Sequence, residues 1–442
     1  MSSPRAATAT TPETATLANP RRALATVIAV VFIDLLGFGI IIPILPFYVR
    51  SFGVSDVYIG LLAASYSLMQ FLFAPYLGAL SDRRGRRPVI LISVAGSVVA
   101  WTVFGLAGSV AVLFVSRMLA GAMGGNLAAA QAYVSDITPP ERRASAFGLV
   151  GASFGLGFIF GPALGGFFAS APVVATASST LPAAIPTTQF SLPSFAAAGL
   201  SLLNLLFAAA FLEESGAQSA SARRQSWIGT FRSAVADANL RGLVVAFFLL
   251  SVAFSGVQVM FIPFAADYYG YDASQTAVLL TYVGALGVVF QGALVGRLSR
   301  RYADSLLAVA GALLLTFALA ALPFTPELGR ALVPKTAAFA FLTRESVALL
   351  LVLPGLSLGN ALLSVSLTTL VSKVAGADVQ GSAFGVTQGA GSLGRTVGPP
   401  IMAALYVLRF WSPFVVGGLL MVGVFGVLVR RSGVVGGPAR AD

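Results

Sequence analysis

Apolar runs of 18 residues or more recur from one end of this chain to the other, and they leave few folds open to it. A helical run of that length crosses the ~30 Å hydrocarbon core of a bilayer. In lipid each backbone N–H and C=O must find its partner inside the protein, which restricts spanning segments to helices or closed barrels. Twelve helical spans can be read. Six lie near 23–49, 57–80, 87–108, 111–134, 143–169 and 193–212, and six near 242–266, 275–297, 305–323, 346–370, 382–407 and 412–430. Only 10% of the 442 residues are charged, against about 25% in a soluble domain. The expected fold class is an all-α membrane protein of twelve transmembrane helices. Its organisation reads as a disordered tail (1–22), a six-helix bundle (23–212), a linker (213–241), a second six-helix bundle (242–430) and a short tail (431–442). The connectors 170–192 and 324–345 default to disorder, with Phe339 and Phe341 placed at the membrane interface.

The net charge of +11 is explained by topology and does not call for nucleic acid. With an even number of spans, both termini share one side. Twenty Lys and Arg residues then fall on the termini side and five on the other, and the remaining two, Arg117 and Arg395, lie within spans. That fourfold bias follows the positive-inside rule and puts the termini in the cytoplasm.

The chain repeats itself. Ser145-Ala146-Phe147-Gly148 returns as Ser382-Ala383-Phe384-Gly385, Gly157 as Gly394, and Gly161-Pro162 as Gly398-Pro399, all at a shift of 237. A second echo joins Gly78-Ala79-Leu80-Ser81-Asp82-Arg83 to Gly296-Arg297-Leu298-Ser299-Arg300-Arg301. Two parallel six-helix repeats suggest pseudo-symmetric bundles with a path between them. Gly157, Gly161 and Gly165 form a smooth helical stripe that lets backbones approach closely, and Pro162 favours a bend. The stripe reads either as plain helix packing or as a rigid wall where the bundles meet. In the second copy Met402 replaces the last glycine and Arg395 is gained.

Several chemistries find no residues here. Cysteine and histidine are absent, which removes thiolate metal sites and the usual neutral-pH proton carrier, so proton chemistry falls to carboxylates. The sequence has no phosphate-binding G-x-x-x-x-G-K-[ST] and no H-E-x-x-H, and its G-x-S-x-G matches, Gly151-Ala152-Ser153-Phe154-Gly155 among them, lie within spans of a chain without histidine and make no nucleophile elbow. The glycines at 148–166 lie within a span, not after a strand, and form no dinucleotide loop. No enzyme activity, cofactor or metal is expected.

These motifs make the chain resemble the major facilitator superfamily across essentially all of its spans. Gly78-Ala79-Leu80-Ser81-Asp82-Arg83-Arg84-Gly85-Arg86-Arg87 is similar to that family's loop between helices two and three. Gly148-x8-Gly157-x3-Gly161-Pro162-x2-Gly165 is similar to the fifth-helix motif of its antiporters, and Arg117-Met118-Leu119-Ala120-Gly121 to the fourth-helix motif of proton-coupled members. Asp34-Leu35-Leu36-Gly37-Phe38-Gly39, with Pro43 and Pro46, resembles the first helix of tetracycline-type drug:proton antiporters. The resemblance implies the major facilitator fold and a latch on the inner face. In that latch Asp82 caps the eleventh helix near Gly381, where the helix dipole favours an anion. Arg86 pairs with Asp136, and Gly85 makes the tight turn.

Asp34 lies about ten residues into the first span, ~15 Å deep. An ionised carboxylate there costs several kcal/mol unless it is paired, hydrated or protonated. It is either a static satisfied group or a carrier of protons. Arg117 falls within ~6 Å of the same depth and is the candidate partner of Asp34. Arg395, ~20 Å deep, either lines the path or is satisfied by a helix carbonyl. If it lines the path, the deep charges favour an anionic or zwitterionic substrate. Tyr66, Gln70 and Gln258 are further cavity candidates. Asn126, Gln131, Asn204, Gln291, Asn360 and Gln388 read as helix-to-helix hydrogen bonds. The expected function is proton-coupled export of a small amphipathic drug or metabolite, by a monomer in a bacterial-type inner membrane. The alternatives are uptake or facilitated diffusion of a small organic anion, and a receptor or chaperone that no longer transports.

Overall fold

The computed structural model describes residues 19–124, 126–139, 142–215, 238–334, 342–374 and 380–432. Among these residues the structure is helical, without strands. Twelve long helical elements follow in order: α1 Pro20–Ser51, α2 Val57–Arg84, α3 Arg86–Gly105, α4 Val110–Ile137, α5 Arg143–Ala169, α6 Ser191–Phe211, α7 Ala238–Tyr269, α8 Ala273–Leu298, α9 Asp304–Leu332, α10 Arg344–Val374, α11 Gln380–Leu408 and α12 Ser412–Ser432. Eleven of the helices are long and apolar enough to cross a membrane. The remaining one, α11, has the length but carries Gln380, Gln388, Arg395 and a run of glycine and serine.

Local chemistry sets the ends and breaks. Asn19 caps α1, its side chain accepting from the Arg22 N–H at 3.1 Å, and Pro20 occupies the first turn, where its missing N–H costs nothing. Proline interrupts α1: residues 42–44 form a turn around Pro43 before the helix resumes at Leu45. Asp272 and Gln275 form a reciprocal capping box at the start of α8. One turn of π-helix, Phe290–Val295, interrupts α8. The turn between α2 and α3 rests on Gly85, whose φ of +97° suits glycine and strains other residues.

α1–α6 pack as one group and α7–α12 as the other. The principal pairs within them are α1 with α5 and α6, α3 with α4 and α6, α7 with α11 and α12, and α9 with α10 and α12. The groups meet mainly through α5 against α8 and α2 against α11, a crossed arrangement expected of two copies of one bundle.

The glycine stripe does not line the contact between groups, a correction to the reading of a wall there. Gly157, Gly161 and Gly165 face α1 within their own bundle: a Cβ at Gly161 would lie 2.6 Å from the Gly39 Cα, and one at Gly157 2.8 Å from the Leu35 Cβ. Gly394 and Gly398 repeat this against Ser251 and Ser255 of α7. Such approaches place two helix backbones in direct contact, the main source of association in lipid. Gly148, at the head of the motif, has nothing within 4 Å of where its Cβ would be. Pro162 and Pro399 lie inside unbroken helices.

Two connectors also differ from expectation. The 170–192 segment holds a helix, Ala171–Thr180, and a turn in which Thr188 and Ser191 bond to each other. The 324–345 segment extends α9 through a helical turn that bonds Arg330 to Glu345 at 3.0 Å. Phe339 and Phe341 lie outside the described residues, as do residues 1–18, most of the linker and the last ten residues. The helix at Pro20 begins inside the tail expected over 1–22.

Candidate functional site

The two bundles touch unevenly along their length. Call the face carrying the start of α1 the termini face, and the opposite one the distal face. Toward the distal face a Cβ at Gly60 of α2 would fall on the Pro399 carbonyl of α11, and one at Gly166 of α5 would lie 2.6 Å from the Ala277 Cβ of α8. The Thr281 hydroxyl of α8 donates to the Ile159 carbonyl of α5 at 3.3 Å. Contact reaches Gly155 against Val288, near mid-helix. Gly78, Gly148, Gly151, Gly292, Gly296 and Gly385 all face open space. Among the described residues the two bundles meet at the distal face, and these glycines toward the termini face stand uncovered.

A polar cluster bolts the shut end. The Arg50 guanidinium donates to Asp56 at 2.6 and 2.8 Å, and across the bundles to Asp267 at 2.7 and 2.9 Å. The Tyr406 hydroxyl donates to the same Asp267 at 2.7 Å. Arg50 and Asp56 belong to the first bundle, Asp267 and Tyr406 to the second. This planar, bidentate pairing suits arginine and would not survive replacement by a lysine point charge. The sequence reading missed it, having counted Arg50 only as a charge on the sparse side. The available signal was an arginine and two aspartates at span ends that should share one face. Arg50→Ala should leave Asp56 and Asp267 facing each other and favour opening at this end. A cysteine at Ala403, buried against Gly60, should then be labelled about tenfold faster, the effect of losing one to two charge-assisted bonds. An unchanged rate would remove the bolt from the account.

Deep in the first bundle, Asp34 is held by neutral donors. Asn126 donates to one carboxylate oxygen at 2.9 Å and Ser97 to the other at 3.4 Å. Asn126 opens the second part of α4, whose first part ends at Met123. Arg117 makes no ion pair with Asp34, contrary to expectation. It is 5% exposed, with its guanidinium 4.5 Å from the Tyr66 ring centre and 5.7 Å from that of Phe38. Phe38 stands one helical turn beyond Asp34, so depth from sequence was adequate but direction was not. Stacking on two rings offsets part of the cost of burying this cation. Its Nε has no hydrogen-bond partner. A Cβ at Gly124 would sit 2.9 Å from the Gln70 Nε2 and 3.3 Å from the Tyr66 hydroxyl, so Tyr66 and Gln70 converge on the α4 break.

In the second bundle a cavity of about 190 Å³ is lined by Arg395, Gln258, Gln388, Asn360, Ser251 and Phe254, among others. Arg395 and Gln258, both picked from sequence, fall together here. Asn360 and Gln388, read as helix-to-helix bonds, line the same cavity. Asn204 does make such a bond, to the Val30 carbonyl at 2.9 Å.

At the termini face, Arg86 bonds to Asp136 at 2.9 Å, to Ser81 at 2.7 Å and to Asp82. Asp82 thus pairs within its own loop; the partner expected for it near Gly381 adjoins residues 375–379, which lie outside the described part. Arg83 is exposed. Glu214, just past α6, accepts from the Arg86 and Arg87 N–H groups at 2.7 and 3.2 Å and caps α3. It was not foreseen, because a carboxylate more than a hundred residues away carries no local signal.

Comparison with known proteins agrees with this architecture. Residues 27–399 match the Major Facilitator Superfamily. The class C tetracycline resistance protein of Escherichia coli is 31% identical over 392 residues, covering 87% of this chain and 89% of that protein. Multidrug resistance protein 2 of Bacillus subtilis (strain 168) is 26% identical over 403 residues, covering 89% and 90%. A bacterial homolog of the human lysosomal transporter Spinster, in an inward-facing and occupied conformation, superposes with a TM-score of 0.75 at 16% identity, covering 94% of this chain and 98% of that one.

Proposed function

Because this chain belongs to the Major Facilitator Superfamily, and so is a multi-pass membrane transporter and not an enzyme, we propose that it exports a small amphipathic drug or metabolite in exchange for protons, by alternating access. The termini face is the cytoplasmic one, on the arginine bias, and the membrane is a bacterial inner membrane. The chain works as a monomer, since each bundle contributes one wall of the path.

One observation carries the proton-coupled reading: a carboxylate, Asp34, deep in a helix and held by Asn126 and Ser97, with no cation paired to it among the described residues. Such a group is stable when protonated and costly when ionised, so its proton can be exchanged for substrate. The bolted distal face and open termini face support a state that loads from the cytoplasm. Asp82, Arg86 and Asp136 form the latch that closes when that state ends. Resistance relatives of matching length support drugs as cargo.

The reading is tested by adding tetracycline to purified protein in weak buffer and following pH. Substrate-induced proton release is expected. Tetracycline flux in proteoliposomes that is indifferent to a pH gradient, with no proton release, would favour facilitated diffusion instead.

A further inference from the structure

The two deep arginines differ in how they are kept. Arg117 is enclosed by the Tyr66 and Phe38 rings. Arg395 is half-buried and faces the second-bundle cavity. Among the described residues its one hydrogen bond joins Nη2 to Ser392 at 2.9 Å, on the same helix. Among the described residues no carboxylate pairs with it. A guanidinium offers five N–H donors in a fixed fork, so most of this one's capacity is unused. Around it stand Gln258, Gln388 and Asn360, with Phe254 and Phe247 as the apolar part of the lining. An intramembrane cation is costly unless something answers its charge.

We propose that Arg395 is the anchor of a substrate subsite for an organic acid, a flat apolar body bearing a carboxylate or comparable anionic group. The acid pairs with the guanidinium fork, the amides of Gln258, Gln388 and Asn360 take its neighbouring polar atoms, and the two phenylalanines cover its body. Asp34 lies in the other bundle, so cargo and proton are held by different bundles. A compound with one acidic and one basic group would fit both walls. The inference rests on the transport reading and gives its substrate a charge.

Three probes of one shape test it: 2-naphthoate, 2-naphthamide and 2-naphthylmethylammonium, titrated calorimetrically into the purified full chain. Naphthoate should bind about tenfold more tightly than the amide, the value of one charge-assisted bond. Arg395→Gln should bring the two to parity, and Arg395→Lys should keep part of the preference; melting curves of both variants confirm that they are folded. An equal or stronger affinity for the ammonium or the amide, no measurable naphthoate binding to wild type, or a preference that survives in Arg395→Gln would overturn the subsite. Proton release on adding tetracycline separates the two claims. Release without an Arg395-dependent acid preference rejects the subsite alone, and an Arg395-dependent preference without release rejects the proton coupling alone.

Discussion

Asp34→Asn is expected to abolish proton-driven transport while leaving substrate exchange intact. Asparagine has nearly the shape of a protonated aspartate and can still bond to Asn126 and Ser97, which now hold the carboxylate at 2.9 and 3.4 Å. The variant should therefore fold, bind and carry out counterflow, which moves substrate against substrate with no net proton. It cannot ionise, so uptake driven by a pH gradient should fall to the level of empty liposomes. The substrate-induced pH signal should vanish with it. Wild-type rates in the gradient assay would rule Asp34 out as the carrier. Loss of counterflow together with gradient-driven uptake would instead make it a structural group. Arg117 provides a contrast: it touches rings and not the carboxylate, so Arg117→Gln should disturb the site through lost packing and charge without itself preventing proton binding at Asp34.

Gly161→Leu carries the second large effect. The first added carbon would stand 2.6 Å from the Gly39 Cα and 2.8 Å from the Gly39 carbonyl carbon. These are backbone atoms, so no rotamer change relieves the clash and α1 must separate from α5. Overpacking of this kind costs about 1–3 kcal/mol, and in lipid no hydrophobic drive restores the lost backbone contact. Asp34 rides on the same helix, beside Leu35, which touches Gly157. Moving α1 therefore pulls the carboxylate away from Asn126 on α4. The protein should still insert, but its melting temperature should drop and gradient-driven transport should fall more than about tenfold, on the loss of a charge-assisted bond. Gly148→Leu, in open space, should change little. Similar behaviour of the two variants would show that the stripe acts by some means other than α1–α5 contact.

Twelve spans, the paired bundles and the correspondence of α5 with α11 were legible in the sequence because they depend on run length and on a repeat at fixed shift. The proline turn at 42–44 moved no span. The sequence placed Asp34 and Arg117 at one depth but gave no azimuth, so the pair expected between them went to other partners. Phe38 and Tyr66 took the cation, and two neutral side chains took the anion. The glycine stripe was legible as close packing, but not which helix it meets: α1 lies in its own bundle. The Arg50–Asp267 bolt and the Glu214 cap join residues more than a hundred positions apart, and only the folded chain brings them together. Arg395 and Gln258 were picked separately for one reason, polarity in an apolar span, and they meet in one cavity.

Alternating access is the central claim, and the chain's lack of cysteine makes one test direct. Spin labels on cysteines at Ser55 and Trp411 report the distal face, and on cysteines at Ser145 and Ser299 the termini face. All four positions are exposed, and each pair joins the two bundles. Pulsed distance measurements across a pH series, with and without tetracycline, should show the two distances changing in opposite senses. The distal pair should lengthen as the Arg50 bolt opens, and the termini pair should shorten as the cleft closes. Distances that stay fixed under all conditions, or that lengthen together, would contradict a transporter that exposes one face at a time.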